Sequence, residues 1–154
     1  MLLLLFQVGT WRYALDARQV VSVVSPRLMR EQPDAPDRQT PNQQAIVGYF
    51  QRIGDATMVS VIDLSQLLMG HPSPRHFGTR VMLVKDQCDR LWGLMATSMV
   101  ETLTIDETLW NEAKTLQNAS SGHPYVQQVL MQEQTLLHGL AIDHIFTQIN
   151  LEHF

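Results

Sequence analysis

The chain has 154 residues, of which 45% are hydrophobic and 17% are charged. This composition is too apolar for a disordered chain, and the length suits one domain, or two very small ones, with a real core. The net charge of −4 argues against a protein that mainly neutralises nucleic acid. The single cysteine, Cys88, cannot form an internal disulfide, which favours a reducing compartment.

The chain opens on an apolar run, residues 1–6, that stops at Gln7 and lacks the basic flank of a signal peptide. No window reaches the roughly 18–20 apolar residues that a membrane-spanning helix needs. The run therefore predicts a buried strand. We expect a soluble, cytoplasmic protein that does not insert into a membrane.

Period-2 alternation and β-branched residues predict strands through most of the first half. These strands cover residues 2–8, 11–16, 20–24, 45–53 and 57–62. A short helical turn is expected around residues 17–19. The Pro-rich segment 27–44 predicts a long loop, which we expect to be mobile. A short helix over 63–69, capped by Asp63 and ended by Gly70, follows the fifth strand.

The third predicted strand carries valines on both of its faces. Val21 and Val23 are expected to face the core that the second strand also faces. Val20, Ser22 and Val24 then point the other way, where they meet either the other half of the protein or a partner. The sequence leaves both alternatives open.

The second half repeats the strand pattern. Strands are predicted at 80–85, 91–96, 101–105, 125–132 and 135–142, with helices after Asp106 through Ala113 and over 143–150, the latter capped by Asp143. The total is about ten short strands in two groups of five. This count suggests an all-β protein made of two small barrels packed as one body.

Motifs for chemistry are missing from the sequence. It contains no nucleophile elbow, phosphate-binding loop or dinucleotide fingerprint, and its six histidines lack metal-ligand spacing. Trp11, Trp92 and Trp110 are interpreted as core residues in preference to base-stacking platforms. We therefore expect no enzyme activity, no cofactor and no metal.

Several segments, in order from residue 2 to about 149, are similar to one known family. Tyr13-Ala14-Leu15-Asp16 is similar to its Y-A-L-D segment, Val61-Ile62-Asp63-Leu64 resembles its V-I-D-L, and Ala141 to Phe146 resembles its closing helix. On these segments the chain resembles the CheW family of chemotaxis coupling proteins. The helix at 65–68, the Pro-rich loop and Gly78-Thr79-Arg80 look most like coupling proteins of surface-sensing, or Wsp-type, pathways.

The resemblance implies one domain over residues 1–154, built from two interleaved five-stranded SH3-like β-barrels with short helices and a C-terminal helix. It implies a non-enzymatic adaptor between the cytoplasmic tip of a methyl-accepting chemoreceptor and the regulatory domain of a CheA-type histidine kinase. The family's partner-contact positions fall on Val20, Ser22, Gly48, Arg52, Gly54, Val81 and Met99.

The chain also departs from the family pattern. The turn Gln51-Arg52-Ile53-Gly54 displaces the family's arginine by one residue, so Arg52 is expected on the opposite side of its strand. Ser60 replaces a family proline. The alternative hypothesis is a small-barrel protein that binds a ligand or nucleic acid and shares only the architecture. The acidic charge balance argues against its nucleic-acid form.

Overall fold

Strands dominate the computed structural model, which describes residues 1–31, 44–51, 57–98, 100–117 and 125–152. The strands are β1 (Leu2–Val8), β2 (Trp11–Asp16), β3 (Val20–Val24), β4 (Arg30–Glu31), β5 (Ile46–Gln51), β6 (Met58–Asp63), β7 (Arg80–Lys85), β8 (Leu91–Ala96), β9 (Glu101–Thr104), β10 (Val126–Gln132) and β11 (Thr135–Leu140). The helices are α1 (Leu64–Met69), α2 (Glu107–Gln117) and α3 (Ile142–Glu152), with 3-10 turns at Ala17–Gln19 and Pro26–Leu28.

The strands form two sheets. The first sheet has the order β10-β11-β2-β1-β9, and the second sheet has the order β3-β7-β8-β6-β5-β4. The first sheet thus joins strands from both ends of the chain, and β11 runs parallel to β2. The predicted all-β class with two strand groups is confirmed. The second sheet gains a sixth, two-residue strand, and within the described residues neither sheet is hydrogen-bonded into a closed barrel.

Three clusters of buried side chains fill the protein. The main cluster combines residues of both sheets with Ile145, Phe146 and Ile149 of α3. The first-sheet cluster packs Trp110 of α2 against β1, β2 and β11. The second-sheet cluster contains Met29, Val61, Val81 and Met95. Central strands are therefore buried on both faces, which explains why β8 is an almost continuous apolar run.

The apolar N-terminal run forms β1, as predicted. Leu3 and Leu5 lie in the first-sheet cluster, whereas Phe6 and Val8 lie in the main cluster. Antiparallel pairing with β2 on one side and β9 on the other satisfies the backbone of this strand. Within the described part of the chain, no helix is both long and apolar enough to cross a membrane.

One prediction for β2 is wrong. Tyr13 and Leu15 are buried in the main cluster, but Trp11 is 51% exposed. Trp11 lies at the hairpin end of the strand, where its ring rests on His138 with centroids 4.6 Å apart. The interpretation as a core residue holds for Trp92 and Trp110, which are buried.

The helix signals are confirmed at α1 and only partly at α3. The Asp63 carboxylate accepts from the Ser65 N–H (3.0 Å), and Gly70 ends the helix in the left-handed conformation with φ of 80°. Asp143 lies in the first turn of α3 and does not precede it, because the helix already begins at Ile142.

The predicted long loop begins with local structure. A 3-10 turn at Pro26–Leu28 is followed by β4, whose two residues pair with Tyr49 and Gly48. The rest of that prediction, residues 32–43, lies outside the described residues, as do residues 52 and 53 of the predicted fourth strand.

Candidate protein-interaction surface

The most open apolar feature of the second sheet is its end strand, β3. Within the described residues β3 pairs only with β7, so its outer backbone groups have no neighbouring strand. Val21 is 57% exposed and Val23 is 39% exposed, with Ser22 also exposed between them. No charged residue or proline interrupts the strand to block strand pairing. An uncovered valine-rich edge of this kind is typical of a protein-interaction site.

A β-bulge sets the direction of each side chain on β3. Val20 pairs with Val84, but the next paired residue is Ser22, opposite Leu83, so Val21 is the extra residue. One inserted residue reverses the period-2 alternation downstream of it. The bulge therefore separates the faces of Val20 and Ser22.

The predicted facing of β3 is wrong for this reason. Val20 packs against the main cluster and Val24 against the second-sheet cluster, so these two residues do not share a face. Val21 and Val23 were expected in the core but are exposed. Val20 is half-buried and packs against the main cluster, in agreement with the alternative in which it meets the other half of the protein. The uncovered part of the strand is its middle, around Ser22.

A groove of about 610 Å³ lies at the C-terminal end of β3. We call it the β3 groove; its lining residues are Val24, Ser25, Arg27, Leu28, Phe50 and Leu83. Leu28 is 85% exposed, whereas Val24, Phe50 and Leu83 are half-buried against the second-sheet cluster. The groove thus offers an apolar floor beside the open edge, with Arg27 as its charged lining residue.

The residues that the family resemblance assigned to partner contact separate into three groups. Val20 and Ser22 lie on β3. Gly48 lies in the same cross-strand row as Ser22, through Leu83, Gly93 and Val61, but it is buried, and so is Val81. The side chain of Val81 thus has no exposed surface for a partner. Arg52, Gly54 and Met99 lie outside the described residues.

Gly48 is required by a close approach between strands. A Cβ atom at this position would lie 2.5 Å from the Arg30 backbone oxygen and 2.9 Å from Met29 Cγ. We expect Gly48→Ala to displace β4 and to lower the free energy of unfolding by about 1–3 kcal/mol. Urea denaturation measures this loss. Met58→Ala, an exposed change on the neighbouring strand, is the control and should stay within about 0.5 kcal/mol of wild type. An unchanged midpoint for Gly48→Ala would contradict the close packing.

Sequence reasoning missed the β3 groove. Leu28 sits in the Pro-rich segment 27–44, which is also rich in Gln and Arg and for which the sequence predicts a long loop. Leu28, an apolar residue beside Arg27 in this loop, was the one sequence feature that could have indicated the groove. The contribution of Phe50 could not be read locally, because it depends on which strands of the second sheet become neighbours.

Metal-binding and base-stacking sites have little support among the described residues. These residues contain no group of three or more His, Cys, Asp or Glu side chains that could hold a metal ion. Trp92 and Trp110 are buried and cannot stack on a nucleic-acid base, whereas the exposed Trp11 ring already contacts His138. The exposed apolar edge and its groove are thus the features that point to a function.

Comparison with known proteins identifies the type of domain. Residues 2–150 match the family of CheW-like domains. The chain belongs to the CheW-like domain family. This match covers nearly the whole chain and confirms the family predicted from the sequence. No curated protein matches the chain in sequence.

Solved structures support the same fold. The crystal structure of the scaffolding protein TtCheW from Thermoanaerobacter tengcongensis superposes with a TM-score of 0.73 at 17% sequence identity. The similarity covers 94% of this chain and 86% of that one. At this identity the likeness shows the fold alone. It agrees with the predicted SH3-like arrangement of the two sheets in this CheW-like chain.

Proposed function

We propose that this CheW-like protein is a non-enzymatic adaptor that couples chemoreceptors to a CheA-type histidine kinase in a chemosensory-like pathway. The observation that carries the proposal is the open β3 edge beside an apolar groove, in a chain of the CheW-like family. The partners are the regulatory domain of the kinase and the cytoplasmic tip of a methyl-accepting chemoreceptor. The protein acts in the cytoplasm without inserting into the membrane, and its free Cys88 is compatible with a reducing compartment.

The physical case for binding rests on three properties of the β3 edge. A docked partner covers Val21 and Val23, which the free protein leaves in water. It can hydrogen-bond the outer backbone groups of β3, as in strand addition. One of its apolar side chains can also enter the β3 groove and act as a buried anchor. We assign this surface to the kinase regulatory domain.

The proposed contact residues keep different roles. Ser22 and the exposed valines contact the partner directly, whereas Val20 supports the strand from the side of the main cluster. Gly48 and Val81 act through the geometry of the second sheet, since both are buried. Arg52, Gly54 and Met99 remain proposals that rest on the family resemblance.

The proposal assigns no catalytic step, cofactor or metal to this chain. An adaptor acts by binding two proteins at once, so its performance is measured by affinities and by the formation of a ternary complex. Both quantities are accessible with purified components.

The experiment mixes the purified protein with the kinase regulatory domain and a receptor-tip fragment from the same organism. Titration calorimetry measures each binary affinity, and size-exclusion chromatography tests for a complex of all three. We expect both partners to bind and to co-elute with the protein. The two partners mixed without the protein are the control. Binding to neither partner, or mutually exclusive binding, would contradict the adaptor function.

A further inference from the structure

The loop between α1 and β7 presents a phenylalanine to solvent. Phe77 is 95% exposed, more than any other large hydrophobic side chain that the structure describes. Burying a phenylalanine side chain stabilises a protein by roughly 1.5–3 kcal/mol. The free protein lacks this stabilisation at Phe77, because the ring lies in water. A single exposed apolar residue is ordinary on a flexible loop. The backbone around Phe77, however, is held by hydrogen bonds.

These bonds lie on both sides of Phe77. Two bonds span it: the His76 N–H donates to Thr79 Oγ1 (3.1 Å), and the Gly78 N–H donates to His76 Nδ1 (3.0 Å). After it, the Arg80 guanidinium donates to the backbone oxygens of Phe77 (3.0 Å) and Thr79 (2.9 Å). Thr79 is fully buried. An anchor held this way loses less conformational entropy on binding.

The base of the loop is fixed to the core. The Asp63 carboxylate, which caps α1, also accepts from the Ser73 N–H (2.8 Å). The Ser65 hydroxyl donates to the His71 backbone oxygen (3.0 Å). Asp63, Ser65 and Ser73 are all buried. Phe77 is thus exposed on a loop that is anchored at its start and at its end.

The loop is basic in a protein that is acidic overall. Residues 70–80 contain Arg75, Arg80 and two histidines but no acidic residue, whereas the whole chain has a net charge of −4. Glu31 of β4 pairs with Arg75, and no described salt bridge involves Arg80. A partner surface that fits this loop therefore carries carboxylates around the position of the aromatic ring.

We propose that Phe77 is the anchor of a second docking site, which inserts into an apolar, carboxylate-rimmed pocket of a partner protein. The site rests on the proposed function: an adaptor needs a surface besides the β3 edge, and since that edge is assigned to the kinase regulatory domain, the partner at Phe77 is the chemoreceptor tip. A second copy of this chain fits poorly, since its β3 groove is lined by Arg27 and would bring like charges together.

The test measures the affinity of the receptor-tip fragment and of the kinase regulatory domain for four forms of the protein. These are wild type, Phe77→Ala, Phe77→Leu and the control Leu109→Ala, which removes an exposed apolar side chain from α2. For the receptor-tip fragment we expect Phe77→Ala to weaken binding by about 30-fold or more, with the affinity for the kinase regulatory domain unchanged. Phe77→Leu should retain part of the affinity, and Leu109→Ala should match wild type. The melting temperatures of the two Phe77 variants should equal that of wild type, since Phe77 is almost fully exposed.

The negative charge proposed for the partner's pocket is tested by varying the NaCl concentration. Affinity for the receptor-tip fragment should fall as NaCl rises from about 50 to 300 mM, and Arg75→Gln should reduce this dependence. The inference is overturned if Phe77→Ala binds the receptor-tip fragment as wild type does. It is also overturned if the substitution changes only self-association in sedimentation or binding to anionic lipid vesicles. If wild type binds neither partner, the adaptor function fails and this inference fails with it.

Discussion

Replacing Val21 with aspartate is expected to weaken binding of the kinase regulatory domain by about 100-fold or more while leaving the melting temperature unchanged. Val21 is the bulged residue of the open β3 edge and is 57% exposed in the free protein. An aspartate there is solvated until a partner covers it, and the complex would then bury an unpaired carboxylate. Calorimetric titration of the variant, preceded by a thermal melt, measures both quantities.

Val20→Asp is the matched variant and should behave in the opposite way. Val20 is half-buried against the main cluster, so a carboxylate at this position lowers the free energy of unfolding by about 1–3 kcal/mol before any partner is added. If Val20→Asp were as stable as wild type, the packing of Val20 against the main cluster would be contradicted, and with it the facing that the bulge at Val21 sets. Wild-type affinity of Val21→Asp would remove the kinase contact from the β3 edge.

Asp63→Ala is expected to lower the free energy of unfolding by about 2–4 kcal/mol. The carboxylate accepts from the N–H groups of Ser65 and Ser73, and all three residues are buried. Removing it uncaps α1 and leaves both donors without a partner. Asp63→Asn keeps one carbonyl oxygen and should lose less stability. Denaturant melts of the three proteins rank them, and equal midpoints for alanine and wild type would refute the role of this carboxylate.

The same residue predicts the sign of a pH effect. Burial raises the pKa of the Asp63 carboxyl above its ordinary value of 3.8, and the backbone donors offset this only in part. A raised pKa in the folded state gives a stabilising contribution that is complete below pH 3.8 and is lost as the pH rises through the folded value. The stability of wild type relative to Asp63→Asn should therefore decline as the pH rises from about 3.5 towards neutrality. A difference that grows with pH would show that the hydrogen bonds outweigh burial.

Local signals in the sequence were enough for many elements. The bounds of β7 and β8 agree with the prediction, because polar turn residues separate two strands with apolar interiors. The cap Asp63 and the stop Gly70 likewise define α1 without reference to distant residues. The β-branched run at residues 20–24 also predicted a strand with the bounds of β3.

Distant contacts account for what the sequence did not reveal. The bulge at Val21 depends on pairing with β7, and it exchanged the exposed and buried valines of β3. The position of Trp11 depends on His138, which reaches it only through the parallel pairing of β11 with β2. The period-2 alternation of apolar residues does not reveal which strands become neighbours or in which register they pair. It therefore predicted the strand at 20–24 but not which of its residues are exposed.

The interleaved order of the strands has a consequence for synthesis on the ribosome. The second sheet uses strands from β3 to β8 and can pair as soon as residue 96 has emerged, whereas the first sheet waits for β9, β10 and β11. Until then the leucine-rich hairpin of β1 and β2 lacks the strands and the helix that cover it in the folded protein. Such late, long-range pairing is typical of slow, aggregation-prone folding. A chain cut before β11 keeps an unpaired edge on β2 and an exposed first-sheet cluster. Such fragments are therefore targets for chaperones and proteases.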